Sequence, residues 1–211
     1  LTLPTGVETE IPAWFDPVSQ DDGALDAFTD EGLCIASMPR GAAFFDQTYF
    51  PYLEGYPDDL SDLPQVMPLV LWSGLVHSPW DHAGDAGFWE TLRAQTLALR
   101  ESTDRALMVV VGCNLFEWGT FLRRIDNFLM DLVVDQANVE RLLDALLELH
   151  FDTLGHVLES VGDLVDVLRF GDDLGMDNGP LMSPATYRAI FKPRHAALNA
   201  RRGARARPLR A

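Results

Sequence analysis

The stretch Leu164-Val165-Asp166-Val167-Leu168-Arg169-Phe170-Gly171-Asp172-Asp173, continued by Leu174-Gly175-Met176-Asp177-Asn178-Gly179-Pro180-Leu181-Met182-Ser183-Pro184, decides the fold class. Residues 164–170 alternate in polarity as a strand does and end on Gly-Asp-Asp. A loop from Leu174 to Met182 follows, and then Ser183 and Pro184 open a helix as N-cap and first helical residue. A strand that passes through a polar loop into a capped helix is a βα unit.

The units before it follow the same rule. Trp89, Leu92, Thr96 and Leu99 predict a helix over Phe88–Arg100, and the run Ala106 to Val111 predicts a strand buried on both faces. A second helix is expected from Glu117 to Val134, with Phe121, Ile125, Phe128, Leu129 and Leu132 on one side. Asn138 can cap a third, Val139–Val161, whose apolar stripe is Leu142, Leu143, Leu146, Leu149 and Leu154. Helices alternating with short apolar strands are the signature of a parallel α/β sheet.

Residues 1–65 differ in character. Gly6 to Ile11 is a short β-like run, and Leu25–Thr29 and Leu33–Ser37 flank Asp30-Glu31-Gly32 as a hairpin flanks its turn. A polar, Pro-containing connection from Asp58 to Pro68 separates this region from the βα region.

Composition narrows the function classes. With 211 residues, 47% hydrophobic and 23% charged, the chain is of ordinary globular type and one domain is the default. Leu107–Val111 and Phe128–Val134 fall far short of a membrane span, and Leu1–Trp14 lacks the pattern of a signal peptide, so a cytoplasmic protein is expected. Five of the 16 basic residues, Arg201, Arg202, Arg205, Arg207 and Arg210, lie in the last eleven, so residues 1–200 hold 11 basic side chains against 32 acidic ones. Such a body repels a phosphate backbone, and nucleic acid is not an expected partner. One lysine against 15 arginines is the codon usage of a GC-rich genome, in which an out-of-frame read yields Arg, Ala, Gly and Pro. Residues 201–211 have that composition and read as an aberrant Arg-rich tail. Cys34 and Cys113 form neither a metal motif nor a disulfide framework.

The chemistry concentrates in Gly171–Pro184. Adjacent carboxylates at the carboxyl end of a parallel strand sit where barrels and open sheets place their sites, which makes Asp172 and Asp173 the catalytic candidates. Asn114 and Glu117, after the strand ending at Val111, form a second patch on the same rim. Both readings have a plain counterpart: turn chemistry alone accounts for the loop, and a helix N-cap with a first-turn acid accounts for Asn114 and Glu117.

The run Gly171-Asp172-Asp173-Leu174-Gly175, then Gly179-Pro180-Leu181-Met182-Ser183-Pro184, Tyr187-Arg188 and Phe191-Lys192-Pro193-Arg194-His195 resembles the middle of uroporphyrinogen decarboxylase-like proteins. It is most similar to their corrinoid-dependent methyltransferase and O-demethylase branch. Asn114–Glu117, Phe128–Leu132, Gly162–Asp166 and the Asp30-Glu31-Gly32 hairpin look like the same family in the same order, so the resemblance covers roughly residues 25–200.

The resemblance implies a partial (β/α)8 TIM barrel with an N-terminal β-hairpin excursion, residues 1–200 forming the barrel fragment. The expected activity is methyl transfer from a small methylated compound in a corrinoid (methylcobalamin) system, with a corrinoid protein as partner. Asp172 and Asp173 would line the donor site, and Asn114, Glu117, Asp177 and Asn178 would bind substrate or cofactor; the branch commonly carries glutamine where this chain has Asp177. The family's zinc is held by a His-x-Cys pair and a distant Cys, which this sequence does not contain, so no metal ligand is assigned. His77 and His82 lie on a Ser-Pro-Trp-Asp loop without a partner cysteine, His150 and His156 read as structural, and His195 reads as packing. The chain is expected to lack the barrel's first unit and its last three or four, with the tail arising from a frameshift or fragmentary gene prediction. Exposed barrel edges then invite association with a second copy. Two alternatives stand beside methyl transfer: uroporphyrinogen decarboxylation in porphyrin biosynthesis, which an acidic rim disfavours for a polycarboxylate substrate, and a non-catalytic fragment.

Overall fold

The computed structural model describes residues 17–70 and 83–203, with Thr2, Gly6 and Glu8. They fall into two compact units, one containing residues 17–70 with Phe121–Arg124, the other containing residues 83–120 and 125–203. Thr2 and Glu8 form an isolated antiparallel bridge; most of the run expected from Gly6 to Ile11 lies outside the described residues.

In the first unit β1 (Val18–Ser19), β2 (Leu25–Phe28), β3 (Cys34–Met38) and β4 (Asp46–Gln47) make an antiparallel sheet in sequence order. The hairpin expected around Asp30-Glu31-Gly32 joins β2 to β3. Gly32 adopts φ 84°, and the Thr29 N–H donates to the Leu33 carbonyl at 2.9 Å. That left-handed conformation is the reason the turn uses glycine. Ala27, Ile35 and Ala36 form its small core, with Leu33, Phe45 and Tyr49 against them. A short helix α1 (Leu63–Val66) follows, with Pro64 in its first turn.

The second unit contains α2 (Phe88–Ser102), β5 (Met108–Gly112), α3 (Phe116–Arg123, entering the first unit at Phe121), α4 (Ile125–Val134), α5 (Gln136–Val161) and β6 (Val167–Phe170). β7 (Gly175–Met176) and β8 (Gly179–Pro180) form a hairpin, and α6 (Pro184–Thr186), a π-turn (Tyr187–Phe191) and α7 (Lys192–Gly203) complete it. The chain is mixed α/β with small sheets, and the described residues close no barrel.

β5 and β6 pair in parallel, Met108 opposite Val167 and Val109 opposite Leu168, with helices α3 to α5 in the crossover. The pair is buried on one face, where Val111 and Leu168 lie. Met108, Val110 and Val167 on the other face are 56%, 50% and 40% exposed. This corrects the expectation of burial on both faces: α5 packs beside β5, and no described element covers the opposite side.

α5 carries the core. Val139, Leu142, Leu143, Leu146, Leu154, Val157 and Val161 recur at helical spacing and are essentially inaccessible, each leucine contributing about 1.5–3 kcal/mol relative to exposure. His150, not Leu149, continues this stripe. The single helix expected over Glu117–Val134 is two, because Arg124 takes φ 68° and ends the first. The strand expected from Leu164 begins only at Val167, since Asp166 and Val167 N–H groups both turn to the Leu107 carbonyl. At the third helix Asn138 does not cap; its side-chain amide donates to Asp135 at 2.8 Å, one turn earlier.

Candidate functional site

Because β5 and β6 are parallel, both carboxyl ends reach the same edge. β5 leaves through Gly112 and Cys113, both left-handed at φ 78° and 59°, which turns the chain sharply into α3. β6 leaves through Gly171, whose N–H donates to the Gly112 carbonyl at 3.1 Å. Asp172 is thereby delivered to the start of α3.

There its carboxylate accepts the backbone N–H groups of Leu115 (3.0 Å), Phe116 (2.9 Å) and Glu117 (3.2 Å). The first N–H groups of a helix have no partner within it, and the helix dipole favours an anion at that end. Charge-assisted bonds make the carboxylate an effective remote cap. Its side chain is only 3% exposed. The plain reading of Asn114 as the N-cap is therefore displaced: Asp172 caps the helix, and the Asn114 amide instead donates to Glu117.

The other Asp172 oxygen meets His195 Nε2 at 2.8 Å, and His195 Nδ1 faces the Tyr187 hydroxyl at 3.3 Å. Ser183 sets the start of this arm as expected, its hydroxyl accepting the Thr186 N–H at 3.0 Å. Pro193 shapes the next turn, since it has no N–H and its ring cannot approach the carbonyl four residues earlier. The chain widens into the π-turn, where the Lys192 N–H reaches back to the Tyr187 carbonyl. The wide turn absorbs one residue, so Tyr187 and His195 subtend about seven helical steps instead of eight. Seven steps of about 100° fall about 20° short of two full turns, which brings both side chains to one face. Arg194, beside His195, is buried and fixes α7 to α5 through Asp144 at 2.7 Å.

Glu117 accepts the Asp173 N–H at 3.2 Å, so Asn114, Glu117, Asp172 and Asp173 do converge on one rim. Asp173 is exposed. Asp177 and Asn178 do not join them; they are the exposed tip of the β7–β8 hairpin. Beneath the rim His150 Nε2 lies 2.9 Å from the Asn114 carbonyl, and burial pushes its pKa down to about 4, so the neutral ring donates. His156 stacks on Trp89 with centroids 5.3 Å apart. His77 and His82 lie outside the described residues.

Tyr187, His195 and Asp172 border a cleft of about 260 Å³, whose walls include Cys113, Phe170, Leu174 and Leu198. Burial pushes the Cys113 thiol up to about 12, so this wall is neutral at physiological pH. Among the described residues no group of three or more His, Cys, Asp or Glu side chains is placed to hold a metal ion. The cleft therefore offers a mixed lining in which Phe170, Leu174 and Leu198 stand beside Asn199 and a polar chain from Asp172 to His195 to Tyr187. Such a chain can hold or move a proton.

Sequence reasoning grouped Asn114, Glu117, Asp172 and Asp173, which the structure brings together, and passed over Tyr187 and His195, which border the same cleft. A signal was present: a Tyr and a His eight apart bracket Pro193, and only a π-turn aligns that spacing. No family model, curated protein or solved structure matches this chain.

Proposed function

We propose that this chain is a segment of a uroporphyrinogen decarboxylase-like (β/α) barrel whose cleft takes a small methylated compound for methyl transfer in a corrinoid-dependent system. The observation that carries the reading is the convergence of Asn114, Glu117, Asp172 and Asp173 at the carboxyl ends of two parallel strands. Barrels and open parallel sheets bind their ligands at that edge. The motif resemblance over Gly171–His195 supplies the reaction class.

A cleft of about 260 Å³ lies at the small end of ligand sites, fitting a methoxy- or methylamine-bearing donor but not an enclosed corrin. A corrinoid would accordingly be presented by its own carrier protein, its cobalt supplying the methyl acceptor. This chain's residues would bind and orient the donor. Asp172 acts through His195, since its oxygens are occupied and its side chain is buried. The described residues do not fit a zinc site, which needs three or four ligands, and no step is assigned to zinc.

Uroporphyrinogen decarboxylation fits less well, because among the described residues no Arg or Lys lines the cleft to receive a polycarboxylate. The deciding assay mixes the chain with a reduced corrinoid protein and a methoxylated or methylamine donor and follows the cobalt absorbance. Methylation of the cobalt is the expected result. Donor binding with no spectral change would assign the chain as a non-catalytic fragment.

A further inference from the structure

We infer that Tyr187 is the acid that protonates the leaving atom of the donor, with His195 and Asp172 as the positioning residues that reload it. The inference rests on the methyl-transfer reading for the bond that breaks, and on geometry for everything else. Tyr187 and His195 border the cleft, the hydroxyl stands 3.3 Å from His195 Nδ1, and His195 Nε2 is tied to Asp172 at 2.8 Å. Asp172 is in turn fixed by three backbone N–H groups, so the ring has one orientation in which to work.

Both ring nitrogens of His195 have partners, Nδ1 the Tyr187 hydroxyl and Nε2 the Asp172 carboxylate. Among the described residues the Tyr187 hydroxyl has His195 Nδ1 as its one hydrogen-bond partner, which leaves it capacity to bond a ligand in the cleft that Tyr187 borders. Its other neighbours in the cleft are apolar or neutral, with Cys113 held as a thiol and Asn199 as an amide. A phenolate or alkoxide leaving into such surroundings is poorly solvated, and a proton delivered as the bond breaks is worth about 100-fold or more in rate.

The step balances as follows for a methyl ether. The carbon–oxygen bond breaks, its electron pair stays on oxygen, and that oxygen takes the Tyr187 proton. Tyr187 regains a proton from water by way of His195 Nδ1, while Nε2 stays hydrogen-bonded to Asp172. The methyl group passes to the reduced corrinoid named above, and no other oxidant or reductant enters.

The test compares Tyr187→Phe and His195→Gln with the parent chain on two donors, methoxybenzene and 4-nitromethoxybenzene. The first leaves as a poor leaving group that needs the proton; the second leaves as a stable anion that does not. Expected is a kcat loss of about 100-fold or more on the first donor, at most a few-fold on the second, with KM nearly unchanged. Equal losses on both donors would overturn the inference while leaving methyl transfer standing. A second arm needs no turnover: ¹⁵N NMR of the imidazole in the full chain, with added phenol as the product analogue. A shift of the His195 Nδ1 resonance that vanishes in Tyr187→Phe supports the relay. Should the parent chain methylate no cobalt from either donor, the methyl-transfer reading fails, and this arm alone decides: an unmoved Nδ1 resonance refutes the relay.

Discussion

His195 Nε2 sits 2.8 Å from a carboxylate, Asp172, that is already committed to the first N–H groups of α3. One side chain thus ties three segments: the end of β6, the start of the helix after β5, and the arm after the π-turn. Asp172→Asn keeps the shape but removes the charge and an acceptor. A loss of about 1–3 kcal/mol in urea unfolding is expected, together with a displaced His195 NMR signal. Asp173→Asn, exposed and beside it, is expected to stay within about 0.5 kcal/mol. Equal effects from the two would refute the capping role.

His150 makes stability depend on pH. Burial holds its folded pKa near 4, below its ordinary 6.5, so between those values the unfolded chain binds more protons than the folded one. Stability therefore rises with pH across that window and is lost as pH falls through it. The contribution is on the order of 3 kcal/mol. His150→Gln, which keeps a donor for the Asn114 carbonyl, should flatten the difference in urea midpoint between pH 7 and pH 4.5 relative to the parent.

Gly119 is fixed by close approach. A Cβ there would lie 2.2 Å from the Phe128 ring. Gly119→Ala is expected to cost about 1–3 kcal/mol through overpacking. Combining it with Phe128→Leu should recover part of that loss, and a strictly additive double mutant would show that the two do not touch.

The two cysteines should separate chemically. Cys113 is buried with its thiol pushed up to about 12, whereas Cys34 is half-buried. Iodoacetamide near neutral pH should alkylate Cys34 and spare Cys113 until the chain is unfolded, as read by peptide mass spectrometry. Equal labelling rates would contradict the closed wall.

Local features were legible in the sequence. Asp30-Glu31-Gly32 marked its hairpin and Ser183-Pro184 its helix start, because turn and cap chemistry acts over a few residues. The carboxyl-end position of Asp172 and Asp173 was legible from the order of strand and loop. Partners distant along the chain were not: beside its place on the rim, Asn114 was open to a reading as the cap of α3, and that cap comes from Asp172. Periodicity also passed over Arg124, whose left-handed backbone divides a helix that apolar spacing alone would continue. The exposed face of Met108, Val110 and Val167 was missed for a related reason: a continuous apolar run says that a strand wants cover, not which side receives it.

The π-turn before Pro193 makes the relay a question of phase. Every residue beyond the wide turn is set back by one step relative to a regular helix, so closing that turn with all residues retained would swing the imidazole by about 100° about the axis, whereas deleting a single codon between Tyr187 and His195 would let the helix close and still leave the two side chains seven steps apart. Point substitutions at most positions change one side chain and leave this phase intact. A chain that carries the same aspartate would keep the relay either with this spacing and a wide turn or with one residue fewer in a regular helix, so spacing and turn type together, more than the identity of any residue within the interval, would mark which chains can pass a proton from His195 to Tyr187.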